Sequence, residues 1–393
     1  MNDVVIVSAV RTGVGNFNGG LASFSATELG SQVLLEALRR AGLQKEQVDE
    51  VILGNVLPHG LGQNPARQAM LKADLPKSVG ALTINKVCGS GLKAVMLAAQ
   101  AIACGDADVV LAGGMESMTN APYMVSKARF GMRMGHGQMT DAMIHDGLWD
   151  IVNDYHMGHT ADLVATKFNV SREDQDQFAF DSYEKALRSQ KEGLFNEEMM
   201  TIQVPQRKAD PIAFFTDEAI RPSSLEKLAS LRTAFNKDGS VTAGNASKLS
   251  DGAAVVALTS RSFAEKNNLN ILAGVGAQAA DGVELPDVLV APIKAVPKVL
   301  KKANLSVGDI DLYEVNEAFA ASSVAVQREL ELPEDRINVN GGSIAIGHPI
   351  GASGARILVT LLHTMKQRDA RRGLATLCLG GAEAVAMIVE REG

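Results

Sequence analysis

Aromatic residues are scarce in this chain, 4% of 393 with a single tryptophan, so its 46% hydrophobic content must build cores from Ala, Val, Leu and Met. Cysteine is scarcer still. Cys88, Cys104 and Cys378 are the only three, and no pair has Cys-x-x-Cys spacing, which speaks against a disulfide framework and a zinc site and implies reduced thiols. Met1-Asn2-Asp3 runs straight into an apolar stretch with neither a basic start nor a cleavage-type segment, and no apolar run is read as reaching membrane-spanning length. A cytoplasmic protein with no membrane partner is expected. A net charge of −7 argues against a nucleic-acid-binding surface. Neither Gly-x-x-x-x-Gly-Lys-Ser/Thr nor Gly-x-Gly-x-x-Gly occurs, which removes the common phosphate loops.

What is present is an alternation of strands and helices, met twice. Val4 to Val10 reads as a buried strand, and Ser25-Ala-Thr-Glu28 is a capping box that opens a helix running to Gly42. Val51 to Gly54 is a strand, Pro65 to Lys72 a helix, Ala81 to Asn85 a strand, Leu92 to Cys104 a helix, and Asp108 to Gly114 a strand ended by paired glycines. The second half repeats the plan with strands at 271–275, 312–315 and 337–340, helices at 292–303, 318–330 and 351–366, and Leu374 to Gly381 as the matching strand. Its hairpin runs on directly into Val385 to Val389, whereas the matching run of the first half, Ala253 to Leu258, waits until after residue 250. The segment between, rich in methionine and turn residues, reads as a lid with helices at 160–168 and 172–189, the latter capped by Ser171.

Four residues are candidates to carry chemistry. Cys88 stands where a strand yields to a helix, in Val87-Cys-Gly-Ser-Gly91, and a thiol beside unpaired helix N–H groups favours the thiolate. It is a nucleophile or a small buried hydrophobe. His348 occupies the matching strand-to-helix position of the second half, within a glycine-rich run from Asn338 to Arg356, so the two could face each other across a pseudo-twofold axis. It would activate the thiol or stabilise an oxyanion, or else serve only the loop. Cys378, directly before Leu379-Gly380-Gly381 at a strand end, is an acid/base or a core thiol. Asn316 ends a strand as an amide able to hold a water, or as a helix cap, and Cys104 is expected to pack in the core.

Jointly, Gly62-Gln-Asn-Pro-Ala-Arg67, Val87 to Gly91, Ala112-Gly-Gly-Met-Glu-Ser117, Thr242-Ala-Gly-Asn-Ala-Ser247, Asn316-Glu-Ala-Phe319, Gly347 to Ala355 and Cys378 to Gly381 resemble the thiolase family, over essentially the whole chain and nearest its biosynthetic type. The resemblance implies an α/β thiolase fold of two duplicated αβαβαββ halves in a five-layered core. The first half would span 1–118 and be completed by 250–270, the second 271–393. Residues 119–249 would form an inserted loop domain for coenzyme A binding and oligomerisation. The implied activity is reversible Claisen condensation of two acetyl-CoA to acetoacetyl-CoA and CoA, with these thioesters as substrates, no cofactor, and a homotetramer. By the same resemblance Cys88 is acylated, Cys378 is the acid/base, and His348 with an Asn316-held water forms one oxyanion hole, the N–H groups of Cys88 and Gly380 the other. Leu148, His156, Met157, Arg221, Phe235, Ala243 and Ser247, with Ala318 and Phe319, would surround coenzyme A.

Two places depart from the family pattern. Ala382-Glu383-Ala384 replaces a glycine-rich continuation, and Lys248 follows Ser247 where Gly or Gln is usual. Lys248 reads as a solvated surface charge or a phosphate contact. Glu383 either raises the Cys378 thiol or caps a turn away from it. Competing activities are a 3-ketoacyl-CoA thiolase of broader chain length, a non-catalytic acyl-CoA or lipid binder of this fold, and a condensing synthase of this fold with other partners for its cysteine. The second cysteine argues against the synthase.

Overall fold

All nine residues of strand β1 (Val4–Thr12) are buried, as expected of a run too apolar to show either face to water. In the computed structural model, which describes residues 2–392, this strand lies at the centre of the sheet path. Helix α1 (Ala26–Ala41) follows, its first turn closed by the reciprocal bonds of Ser25 and Glu28 and its end by Gly42 at φ 71. Then come β2 (Glu50–Gly54), α2 (Pro65–Lys72), β3 (Gly80–Ile84), α3 (Ser90–Cys104) and β4 (Val109–Ser117). The inserted segment holds helices α4 (Met157–Lys167) and α5 (Arg172–Lys191), the latter opened by a capping box from Ser171 to Asp174. The chain returns as β5 (Ser250–Ser260) and repeats: β6 (Ala273–Gly282), α6 (Pro292–Ala303), β7 (Leu312–Val315), α7 (Ala320–Glu329), α8 (Ile350–Gln367), β8 (Arg372–Leu379) and β9 (Glu383–Glu390).

The strands follow one hydrogen-bonded path, β7-β8-β9-β6-β1-β5-β4-β2-β3, in which each half contributes a contiguous block. The blocks meet at two antiparallel residue pairs, Val5 with Gly274 and Ile6 with Ala273. Helices α3 and α8 pack on each other and on strands of both blocks, and one apolar cluster joins their side chains to both. Helices α1 and α2 cover the outer face of the first block, and α6 and α7 that of the second. Helix, sheet, helix, sheet, helix is the resulting stack, and it sets the starts of α3 and α8 side by side.

Several expectations are corrected. Residues 337–340 form no strand: Asn338 takes φ 43, and its side chain occupies the Val315 backbone, accepting from the N–H at 2.9 Å and donating to the carbonyl at 2.8 Å. An amide thus stands in for a strand edge, leaving a single bridge from Tyr313 to Ile337. The strand expected at 271–275 runs from Ala273 to Gly282 through a bulge after Val275. Helix α7 begins two residues late because Phe319 is extended, bridging to Ala246. Cys104 is exposed, not core, since it ends α3 just before the solvent-facing turn at Gly105. Val87–Cys104 is apolar enough to cross a membrane by length and composition, contrary to the reading of the sequence, and is here largely sandwiched between the two halves.

Candidate active site

The turn before α3 is built by its own side chains. Ser90 Oγ accepts from the Lys86 N–H at 2.8 Å and donates to the Val87 carbonyl at 2.7 Å, while Val87 is held at φ 46, a strained angle for a β-branched residue. That geometry presents Cys88 two residues ahead of the helix. The turn lies against the β8–β9 hairpin: a β-carbon on Gly89 would fall 2.0 Å from Leu379 Cδ2, so any larger residue there would have to displace that side chain. Gly380 stands against Val87 from the other side. Close approaches also seat α8, since a β-carbon on Gly114 of β4 would fall 2.0 Å from the Gly351 carbonyl and one on Gly91 of α3 2.7 Å from the Ala355 nitrogen.

Burial decides the protonation states here. It pushes the Cys88 thiol up to about 11, and the backbone groups of Gly380 and Cys88 that bear on the sulfur only partly oppose it. For this half-buried thiol desolvation is the largest influence, and it points to a neutral resting form against the thiolate that the helix N-terminus favours. Cys378 is buried at the end of β8, and its thiol is raised further, first by desolvation and then by Cys88 nearby. His348, buried just ahead of α8, is pushed down to about 3 by desolvation and by the Arg356 charge, so its imidazole is neutral at physiological pH. Its backbone N–H is held by the Lys248 carbonyl at 3.1 Å and Ser250 Oγ at 3.2 Å. Its Nδ1 lies 2.5 Å from Ser353 Oγ, and its Nε2 lies 3.5 Å from Asn316 Nδ2. Asn316 is buried and is not a helix cap, a place Phe319 takes.

The other expected residues lie on several separate elements. His156 caps α4, accepting from the Gly158 N–H at 2.9 Å, and stacks on Phe235, which meets Phe319 edge-on at 6.3 Å. Ser247 donates its N–H to the Ala318 carbonyl at 3.0 Å. Leu148 packs on the opposite side, in a cluster with Val87 and Cys88. Met157 lines a cavity of about 190 Å³ together with Val87, Gly380, Leu285 and Val288. Arg221 and Ala243 are exposed, and the Arg221 charge bears on Lys248.

Both departures from the family pattern find partners. Lys248 is not a solvated surface charge: it is half-buried, donates to the carbonyls of Ala243 and Ala246, and lies over the Tyr183 ring at 5.7 Å. Its ammonium falls to about 8 through desolvation and the neighbouring Arg221. Glu383 pairs with Lys86, two residues before Cys88, and so bridges the lips of the two turns. Ala382 beside it takes φ 64, an angle that favours glycine.

Two neutral thiols, a neutral imidazole, an amide and convergent backbone donors can attack, deprotonate and stabilise an acyl group. The chain matches the thiolase N-terminal domain over residues 4–262 and the thiolase C-terminal domain over residues 269–391. The chain belongs to the thiolase family. A Pseudomonas aeruginosa protein named acetyl-CoA acetyltransferase is 56% identical over the full length of both chains. One of that name from Cupriavidus necator is 54% identical, again over the whole of each. The crystal structure of the Bacillus anthracis acetyl-CoA acetyltransferase superposes with a TM-score of 0.97 at 41% identity, covering 99% of each chain.

Within this thiolase the residues missed by sequence reasoning are supports. Leu285 and Val288 line the cavity but lie in a short turn whose apolar pattern carries no functional signal. Ser353 and Ser343 stand inside the glycine-rich run, where the glycines drew the eye. Arg356 had a signal, a lone charge in the otherwise uncharged run from Ile350 to Leu362.

Proposed function

We propose that this thiolase catalyses the acetyl-CoA acetyltransferase reaction, condensing two acetyl-CoA into acetoacetyl-CoA and CoA. The observation that carries it is full-length identity above half with relatives of that name, supported by two contacts, Asn316 with His348 and Cys88 beside Cys378. In the proposed course Cys88 sulfur attacks the acetyl carbonyl as its proton passes to His348 Nε2, and CoA leaves as its thiol. The departing CoA sulfur draws its proton from Cys378, His348 keeps that of Cys88 until collapse returns it, and the Cys378 thiolate then takes a methyl proton from the second acetyl-CoA. A thiol raised by burial yields a strongly basic thiolate, which suits a carbon acid. The enolate oxygen rests on His348 and an Asn316-held water while its carbon attacks the acetyl-cysteine, and the resulting alkoxide meets the Cys88 and Gly380 N–H groups before collapse frees Cys88. Leu148, His156, Met157, Arg221, Phe235, Ala243, Ser247, Ala318 and Phe319 are proposed to seat coenzyme A.

This reading needs no cofactor beyond the thioesters and describes a cytoplasmic enzyme without membrane or nucleic-acid partners. A homotetramer, a dimer of dimers, is proposed as well. Phe130, Met134 and Met139 project from the inserted segment at 83%, 96% and 70% exposure, which supports burial of that loop against another copy. The test pairs mass spectrometry with thiolysis. Wild type given acetyl-CoA should gain one acetyl group and Cys88→Ala none, and acetoacetyl-CoA should be cleaved about tenfold or more faster than a six-carbon 3-ketoacyl-CoA, given the 1–3 kcal/mol that one methylene is worth in an apolar pocket. Acetylation of the alanine variant would remove the nucleophile assignment, and equal efficiencies the substrate.

A further inference from the structure

The amide of Asn316 can point either way, and its usefulness depends on which. With Nδ2 toward His348 it offers hydrogens to the site; with Oδ1 there it offers only lone pairs. Its other end meets Ser343, whose Oγ lies 2.6 Å from Oδ1. That separation belongs to an O–H···O bond and is short for N–H···O. Behind Ser343 stands Arg356, whose Nη2 is 3.0 Å from the same Oγ. A guanidinium only donates, so it takes a lone pair of the hydroxyl and leaves the single hydroxyl hydrogen for Asn316 Oδ1.

A second serine acts in the same sense on the imidazole. Ser353 Oγ donates to the Pro349 carbonyl at 2.9 Å, the turn-preceding bond common inside helices, and its one hydrogen is thereby used. At 2.5 Å from His348 Nδ1 it then accepts, which leaves Nε2 as the bare nitrogen facing Asn316 Nδ2. Hydroxyl orientation thus agrees at both ends of the Asn316–His348 contact.

From these bonds we infer that Ser343, polarised by Arg356, is a positioning residue that fixes the Asn316 amide with Nδ2 toward the reacting groups. The inference rests on the role proposed above for Asn316. Arg356 is fully enclosed, with Glu314 Oε2 at 3.9 Å from its Nη1, so its substitution would perturb folding as well; Ser343, small and buried, is the residue to change. A hydrogen-bonded donor aimed at a developing charge is worth about 10²–10³ in rate, and loss of its orientation a part of that, about tenfold.

The experiment is a double-substitution cycle on the full-length enzyme. Ser343→Ala should lower kcat for condensation about tenfold, leave KM for acetyl-CoA within about twofold, and leave self-acetylation of Cys88 at the wild-type rate, since that step needs no enolate. In an Asn316→Ala background the same change should cost nothing further. A merely structural role for Ser343 would lower both backgrounds equally, and that result overturns the inference. An impaired Asn316→Ala beside a fully active Ser343→Ala overturns it too, while leaving Asn316 in place. Full activity of Asn316→Ala overturns both this inference and the Asn316 role beneath it.

Discussion

The two halves place the same short phrase, strand then Gly-Gly-x-Glu, at the same point of the fold and use it for opposite ends. In the first half β4 runs through Gly113-Gly114-Met115-Glu116 without a break, and Glu116 is completely buried. Its carboxylate gathers the Asn55 amide at 2.7 Å and the N–H groups of Val56 at 3.0 Å, Leu57 at 3.3 Å and Gly351 at 3.0 Å, fastening the start of α8 to the end of β2. Burial pushes it up to about 7 despite those donors. In the second half the strand stops at Leu379, Gly380-Gly381 turn outward, and Glu383 is partly exposed and paired with Lys86. One half has closed its strand end to hold the molecule; the other has opened it beside a cysteine. A duplicated fold can thus assign support to one copy of a motif and chemistry to the other.

The largest test of that division falls on the cysteines, one from each half. Cys378→Ala should reduce condensation by about 10²–10⁴-fold, the range for a lost general base, while Cys88 still acquires an acetyl group from acetyl-CoA. Loss of acetylation together with condensation would show that the halves do not divide the steps in this way.

A smaller effect concerns the resting state of Cys88. With its thiol raised to about 11, alkylation by iodoacetamide should climb about tenfold per pH unit between pH 7 and 9 without levelling, because the thiolate is the reacting form. A plateau below pH 8 would mean that the helix N-terminus and the backbone donors, not burial, govern the sulfur.

The smallest effects sharpen the glutamate contrast. Glu116→Gln puts an amide NH₂ opposite N–H donors at a fully buried position, so it should lower stability by roughly 2–3 kcal/mol. Glu383→Gln loses only a half-exposed ion pair and should cost about 0.5 kcal/mol or less. Urea unfolding of both variants beside wild type makes the comparison, and similar losses would erase it. The Glu383 carboxylate is engaged by Lys86, so the basic limb of the pH–rate profile should stay in place in that variant; a shift to lower pH would instead show it acting on Cys378.

Much of this was legible before any coordinate. The capping box at Ser25, the N-cap at Ser171, the helix from Pro65 to Lys72 and that from Pro292 to Ala303 follow from contacts within a few residues, and local signals of that kind survive folding unchanged. So does the duplication, because a repeated hydrophobic period needs no partner to be read, and the paired glycines mark both strand ends. The cysteines, His348 and Asn316 were also readable as candidates, since their residue types at strand ends admit few roles.

Tertiary structure alone decided the rest, wherever the answer depended on what distant residues bring. The helix N-terminus before α3 favours a thiolate, but the surroundings that folding brings to Cys88 raise its thiol, desolvation first. Residues 337–340 carry a strand's apolar pattern, yet the Asn338 side chain meets the Val315 backbone first and takes the place of the ladder. Lys248 reads as a surface charge until two carbonyls and a tyrosine ring fold over it, and Glu383 as a turn cap or an acid acting on Cys378 until Lys86 arrives beside it. Charge and hydrogen bonding act through space, and a sequence states who is present without stating who is near.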